Sequence, residues 1–214
     1  MRVKACCCLA GLVTLAFFRP CSASLVNRFG VAKIGIDTNS QVSARASFSE
    51  DYISVFPELR FSFLKRASLC LRGGVVREKY GDEDETGAGA GGDLTIFIFN
   101  RPREYFPMRL AVNVGMDYAH TSHVRGYAYE AGVLINRTFS FSSLASLTPY
   151  AGAGITIDRT IVDLDDEKAT DTDTSGYMLF GTLFRVHGPF YLDVEVKFED
   201  QPIVGVGTGF RFRI

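Results

Sequence analysis

Side chains able to do chemistry are few and scattered in this 214-residue chain. His120-Thr121-Ser122, with Glu130 downstream, supplies the parts of a hydrolase: a hydroxyl nucleophile, an imidazole to take its proton and a carboxylate to orient the ring. Parity argues against that assembly. His120 continues the apolar row of Met108, Leu110, Val112, Val114, Met116 and Tyr118, whereas Glu130 falls in the polar row of the next segment. In extended chain the two would face opposite sides of a wall. Asp171-Thr172-Asp173-Thr174-Ser175-Gly176 repeats oxygens at alternate positions before a glycine, like the start of a calcium loop. Where such a loop places its bidentate Glu, this chain has Thr182, so an acidic, solvated loop without metal is expected. His120 and His123 are three apart and have no visible third ligand, which predicts a rim location. Neither catalytic, cofactor-binding nor metal-binding residues are assigned, and no cofactor is expected.

The elements that must position these residues follow an export leader, predicted over residues 1–23. Arg2 and Lys4 form its charged start, Ala5 to Phe18 an apolar stretch too short to span a bilayer comfortably, and Cys21-Ser22-Ala23 a small-residue cleavage site. Cys6, Cys7, Cys8 and Cys21 leave with it. Cys70 then remains alone, which excludes an internal disulfide and a Cys-based zinc site and predicts a packed strand residue. The leader holds Arg2, Lys4 and Arg19 and no acidic residue, which leaves 20 basic against 24 acidic residues in the rest. With no basic stretch longer than Lys65-Arg66, nucleic acid is not an expected partner.

From residue 24 onward the apolar pattern has period 2, not 3.6. The clearest segment sets Met108, Leu110, Val112, Val114, Met116 and Tyr118 against Arg109, Ala111, Asn113, Gly115, Asp117 and Ala119. The same split sets Phe190, Leu192, Val194, Val196 and Phe198 against Tyr191, Asp193, Glu195, Lys197 and Glu199, and returns at Val204 to Ile214. Weaker segments are Arg28 to Asp37, Ile53 to Leu64, Ser68 to Tyr80, Asp93 to Asn100, Arg125 to Phe139, Tyr150 to Ile161 and Tyr177 to Val186. Ten strands are preferred and eight remain an alternative. On this phase an Arg at Val112 meets the oily side, while an Arg at Asn113 points inward and is tolerated.

The connections alternate in character. Thr38-Asp51, Gly81-Gly92, His120-Val124, Leu164-Gly176 and Asp200-Pro202 are expected to be the longer, acidic loops, carrying Asp82-Glu83-Asp84-Glu85 and Asp165, Asp166, Glu167, Asp171 and Asp173. Those near Lys65-Arg66, Arg101-Phe106, Ser140-Leu147 and His187-Pro189 are expected to be short and mildly basic. Alternating strands that cannot leave backbone groups unpaired in hydrocarbon imply an antiparallel up-and-down transmembrane β-barrel over residues 24–214. Phe29, Tyr105, Phe106, Tyr118, Tyr127, Phe139, Tyr150, Tyr177 and Phe198 are candidates for its aromatic girdles.

With these features the chain resembles the small bacterial outer-membrane β-barrels, the group that includes OmpA-, OmpW- and OmpX-type barrels. The terminal strand, ending Phe210-Arg211-Phe212-Arg213-Ile214, carries the likeness, although most members end in Phe or Trp. The resemblance implies an outer-membrane location, lipid around the wall and recognition of Val204–Ile214 by the barrel assembly machinery. Termini in the periplasm and acidic loops outside complete the expected topology. The inward rows are expected to hold Lys33, Arg60, Arg72, Arg109, Arg185, Lys197 and Arg211 against Asp37, Glu58, Glu78, Asp117, Glu130, Asp193 and Glu195. Charges so balanced predict a plugged or narrow lumen.

A non-enzymatic surface barrel with a structural or adhesive role is therefore expected, its acidic loops available to an extracellular protein or a divalent cation. A narrow solute channel is the alternative. The outer-membrane lipid A deacylases share the His-x-Ser and Glu elements, but the parity above separates them here. Outer-membrane proteases need an Asp-x-His, and this sequence has none. Soluble lipocalins usually carry a Gly-x-Trp and a disulfide, and this chain has no Trp.

Overall fold

A computed structural model describes residues 40–50, 52–63, 66–80, 83–99, 108–141, 145–164 and 167–212. The leader, its cleavage site and the segment Arg28 to Asp37 lie outside the described residues. The strands are β1 (Ser40–Ser49), β2 (Tyr52–Phe63), β3 (Ala67–Tyr80), β4 (Glu83–Phe99), β5 (Arg109–His120), β6 (Val124–Asn136), β7 (Phe139–Ser140), β8 (Ser146–Leu164), β9 (Glu167–His187), β10 (Phe190–Phe198) and β11 (Pro202–Phe212). Each pairs antiparallel with its neighbour in sequence, β6 pairs directly with β8, and two-residue β7 adds a short ladder beside β8. Backbone bonds between β1 and β11, from Ser40↔Phe212 to Phe48↔Val204, close the sheet. The result is a ring of ten staves with no free edge along its wall, and the eight-strand alternative falls.

Two expectations about the chain path are corrected. Ser40–Ser49 is the first strand, although sequence reasoning put it inside a connection. Its inward row is Gln41, Ser43, Arg45 and Ser47, and its outward row opens with Val42 followed by two alanines, so its apolar signal is weak. The tertiary pairing to Val55–Arg60 and Val206–Arg211 on either side holds it extended. The acidic segments also lie in strands. β3 and β4 remain paired up to Tyr80↔Glu83, and β8 and β9 up to Leu164↔Glu167, so the acidic end is built of long hairpins. Asp171 to Gly176 is part of β9 and not a loop. At the opposite end, β9 and β10 join tightly through Gly188, whose φ of 59° suits a residue without Cβ. The spans from Phe99 to Arg109 and from Asn136 to Ser146 are the longer connections.

The wall is apolar outside and polar inside. On β5, Val114 and Met116 are exposed while Ala111, Asn113, Asp117 and Ala119 are buried, as the alternation requires. On β10, Leu192 and Phe198 face out, while Tyr191, Asp193, Glu195 and Lys197 face in. Water would be a poor solvent for such an exterior, and a soluble barrel would have the reverse arrangement, so the surroundings it fits are hydrocarbon. Exposed aromatics gather at both ends of the wall. Phe190 and Phe210 meet edge to face at 5.4 Å near the mouth where the described chain begins and ends, and exposed Phe48 and Phe198 stand toward the other, where half-buried Tyr118 and Tyr127 pair at 5.0 Å. Tyr150 and Tyr177 are not girdle residues: both are buried in the lumen. Phe29, Tyr105 and Phe106 lie outside the described residues.

Replacing Val114, exposed in the middle of β5, by Arg is expected to destabilise the folded barrel by about 2–4 kcal/mol. Denaturant titration of the refolded protein in lipid measures it. A cost near zero would place this row away from hydrocarbon.

Candidate functional site

The lumen holds most of the buried charge. On the β2 to β5 side, Arg60 lies 3.0 and 3.2 Å from the two oxygens of Asp93, and Arg72 reaches the same carboxylate at 3.0 Å. Arg72 also grips Asp117 through Nε at 2.7 Å and Nη2 at 2.6 Å, the bidentate geometry that makes arginine–carboxylate pairs strong. Asn113 Nδ2 donates to Asp93 at 3.2 Å and to Thr95 at 3.0 Å. Across the ring, Arg45 bonds Asp193 and, at 2.8 Å, Glu195, while the Tyr150 hydroxyl lies 2.8 and 2.9 Å from the same two carboxylates. A third group spans from β10 to β6. Lys197 bonds Glu130 at 2.6 Å and Glu199 at 3.2 Å, its ammonium 4.5 Å from the Tyr177 ring.

These bridges skip a strand, and glycines make the crossings of Arg72 and Tyr150 possible. Arg72 on β3 reaches Asp117 on β5 across β4, where a Cβ on Gly91 would overlap the Asp117 carboxylate. Tyr150 on β8 reaches β10 across β9, where a Cβ on Gly181 would overlap its ring. Arg45 on β1 reaches β10 across β11 at Gly205, where a Cβ would meet the guanidinium at 3.7 Å, an ordinary contact, so this crossing does not depend on the glycine. Gly91 and Gly181 are the floor over which the Arg72 and Tyr150 side chains cross.

Several sequence expectations are met and others revised. Arg60, Arg72, Lys197, Arg211, Glu58, Glu78, Asp117, Glu130, Asp193 and Glu195 are buried, as assigned. Arg109 and Arg185 are half-buried at one mouth, and Lys33 and Asp37 lie outside the described residues. Arg45, Asp93 and Asp158 are additional buried charges. Arg45 was hidden in a presumed connection, and Asp93 opened a segment that reads as apolar on both faces. Among the described residues the fully buried charges are Arg45, Arg60, Arg72, Lys197 and Arg211 against Glu58, Glu78, Asp93, Asp117, Glu130, Asp158, Asp193 and Glu195. Asn113 is 1% exposed and hydrogen-bonded, so an Arg there would not be accommodated as the phase alone implied.

Charge is sorted along the axis. The acidic mouth carries Glu78 and Asp158 on inward rows, with Asp173 directly across from Asp158 in the β8–β9 register. At its rim His123 lies 2.6 Å from Glu85, and Arg77 2.6 Å from Asp84. Partial burial pushes the Glu85 carboxyl up, but hydrogen bonds from His123 and Thr121 outweigh it and hold the group below the usual carboxylate range. His120 is exposed whereas Glu130 is engaged inside by Lys197, so the His, Ser and Glu of the hydrolase pattern do not meet. Cys70 is fully buried in β3. Among the described residues no three His, Cys, Asp or Glu side chains converge on a metal position.

Comparison with protein-family models and with curated proteins finds no match. Comparison with solved structures finds small outer-membrane barrels. The N-terminal β-barrel domain of Pseudomonas aeruginosa OprF is 12% identical, with a TM-score of 0.41, over 82% of this chain and 98% of that one. Neisserial surface protein A is 15% identical, TM-score 0.39, over 82% and 96%. The KdgM porin is 10% identical, TM-score 0.41, over 81% and 99%. The likeness is one of fold.

Arg72→Ala leaves Asp117 and Asp93 buried without their shared cation and is expected to cost about 3–5 kcal/mol, whereas Arg72→Ala combined with Asp117→Ala recovers part of that loss. A double-mutant cycle in denaturant reads the coupling, and strictly additive losses would show that the bridge is not formed. At the rim, Glu85 contributes stability above its unfolded titration range that is lost as pH falls through its lowered folded value. His123→Ala should move the Glu85 carboxyl titration upward in NMR, and an unchanged titration would exclude the contact.

Proposed function

We propose that the protein is a non-enzymatic surface barrel of a bacterial outer membrane, with its lumen closed to bulk solutes and its acidic hairpins facing outward. The observation that carries this reading is the set of three bridged groups, each joining strands that are not neighbours through the interior. Salt bridges and aromatic rings that cross the interior support this reading, and barrels of about this strand number have interiors that side chains can fill. Both described ends of the chain lie at one mouth, at Ser40↔Phe212, which fits periplasmic termini and the acidic hairpins β3–β4 and β8–β9 on the far side.

In this reading lipid surrounds the wall, and Val204–Ile214 is the segment the assembly machinery reads. The acidic rim offers contact to a basic extracellular protein or a divalent cation. An enzymatic role is disfavoured by the separation of His120 from Glu130. A narrow cation channel is the second reading, favoured by the excess of buried carboxylates over buried cations.

In planar bilayers the unmodified protein is expected to give little or no conductance, and large stable steps of the general-porin type would overturn the closed lumen. Orientation is read separately on intact cells. An epitope inserted at Asp165 in the β8–β9 hairpin should bind antibody, and one at Ser143 should not. The opposite labelling would invert the topology.

A further inference from the structure

The mouth opposite the acidic rim has a chemistry the closed-lumen reading does not use. Arg109 opens β5, Arg185 stands near the end of β9 and Arg211 near the end of β11, all on inward rows. Among the described residues, no carboxylate occupies the outermost inward position of any strand at this mouth. Two amides accompany the arginines. Gln41 lies in register between Arg211 and Arg60, and Asn136 directly across from Arg109. They are 1% and 2% exposed, and neither the nitrogen nor the oxygen of either amide has a hydrogen-bond partner.

A buried amide without a partner is costly, and such amides beside cations at one mouth call for a ligand that brings both acceptors and a donor. We infer that this mouth binds a soluble oxyanion of the phosphate class. Arginine forks match the oxygens of a tetrahedral anion, and the amide N–H groups add neutral donors. The two amide oxygens select further, because they need a donor. A singly protonated phosphate carries a P–OH that donates to Gln41 Oε1 or Asn136 Oδ1, whereas sulfate at neutral pH has no proton to give. Phosphate should therefore be preferred over sulfate although their sizes are similar. The two amides stand on β1 and β6, on opposite sides of the ring. The inference stands whether or not the lumen conducts.

The test is calorimetric titration of the full chain in detergent micelles with inorganic phosphate or sulfate, at ionic strength fixed with chloride. Saturable phosphate binding, tighter than sulfate, is expected. Arg185→Gln and Gln41→Leu should each weaken it by about fivefold or more, while Asp171→Asn at the acidic mouth leaves it unchanged. Gln41→Leu removes an unpartnered amide, so its denaturation midpoint in chloride should stay level or rise, which separates lost binding from lost folding. Repeating the titration in nanodiscs distinguishes the source of the anion. Equal phosphate binding in phosphatidylcholine and phosphatidylglycerol assigns a soluble ligand, whereas loss in phosphatidylglycerol alone assigns the same site to a lipid headgroup. Absence of saturable binding, or binding equal in the wild type and both mouth variants, would falsify the site.

Discussion

Closure of the sheet between β1 and β11 is the constraint from which the rest of the molecule follows. In hydrocarbon an unpaired N–H or C=O has no water to fall back on, so an open edge along the wall would be prohibitive and a ring removes it. Once the ring exists, every strand must keep one face to lipid and the other to the lumen, and a slip of one residue would exchange them. That is why Val114 and Met116 share a row, and why Asn113 and Asp117 share the other.

The lumen then has its own problem. The thirteen buried charged side chains among the described residues lose most of their hydration, and such charges persist only when partners and hydrogen bonds replace the water. Neighbouring strands alone do not provide those partners, since Arg72 finds Asp117, and Arg45 finds Glu195, only by crossing an intervening stave. Where Arg72 and Tyr150 cross, glycine on the crossed strand makes the approach feasible. Gly91 and Gly181 are thus coupled to ionic and aromatic groups distant in sequence, and added volume at either would push a bridge out of register.

Much of the fold was legible because the strand period is short and strict. The phases of β5, β10 and β11 could be read residue by residue, and the inward assignment of Asp117, Glu195 and Lys197 followed from them. What escaped was governed by tertiary pairing. Ser40–Ser49 has small and polar residues where a spanning strand usually has large apolar ones, so its extension depends on its two neighbours and not on its own pattern. The β8–β9 hairpin reads as a loop because Thr170 to Gly176 is polar on both faces. It runs on as strand because β8 offers Ile155 to Ile161 as a ladder partner. Tyrosine was ambiguous for a different reason: an aromatic ring with a hydroxyl suits both an interfacial girdle and a lumen bridge. Only the partner, Asp193 for Tyr150, decides between them.

The axial sorting of charge follows from the same desolvation logic. Deep in the barrel, where water is scarce, Arg60, Arg72, Asp93 and Asp117 form a compact cluster with equal numbers of each sign. At the mouths themselves, where Asp173, Arg109 and Arg185 are only half-buried, solvation returns and like charges can be placed together at modest cost. The carboxylate excess accordingly collects toward one opening, with Glu78, Asp158 and Asp173, and the arginines Arg109, Arg185 and Arg211 toward the other. The inward rows therefore differ in sign between the two openings. The half-buried charges at the openings keep part of their hydration, while those in the middle of the lumen depend on one another, which is why the bridges that cross a stave are found there.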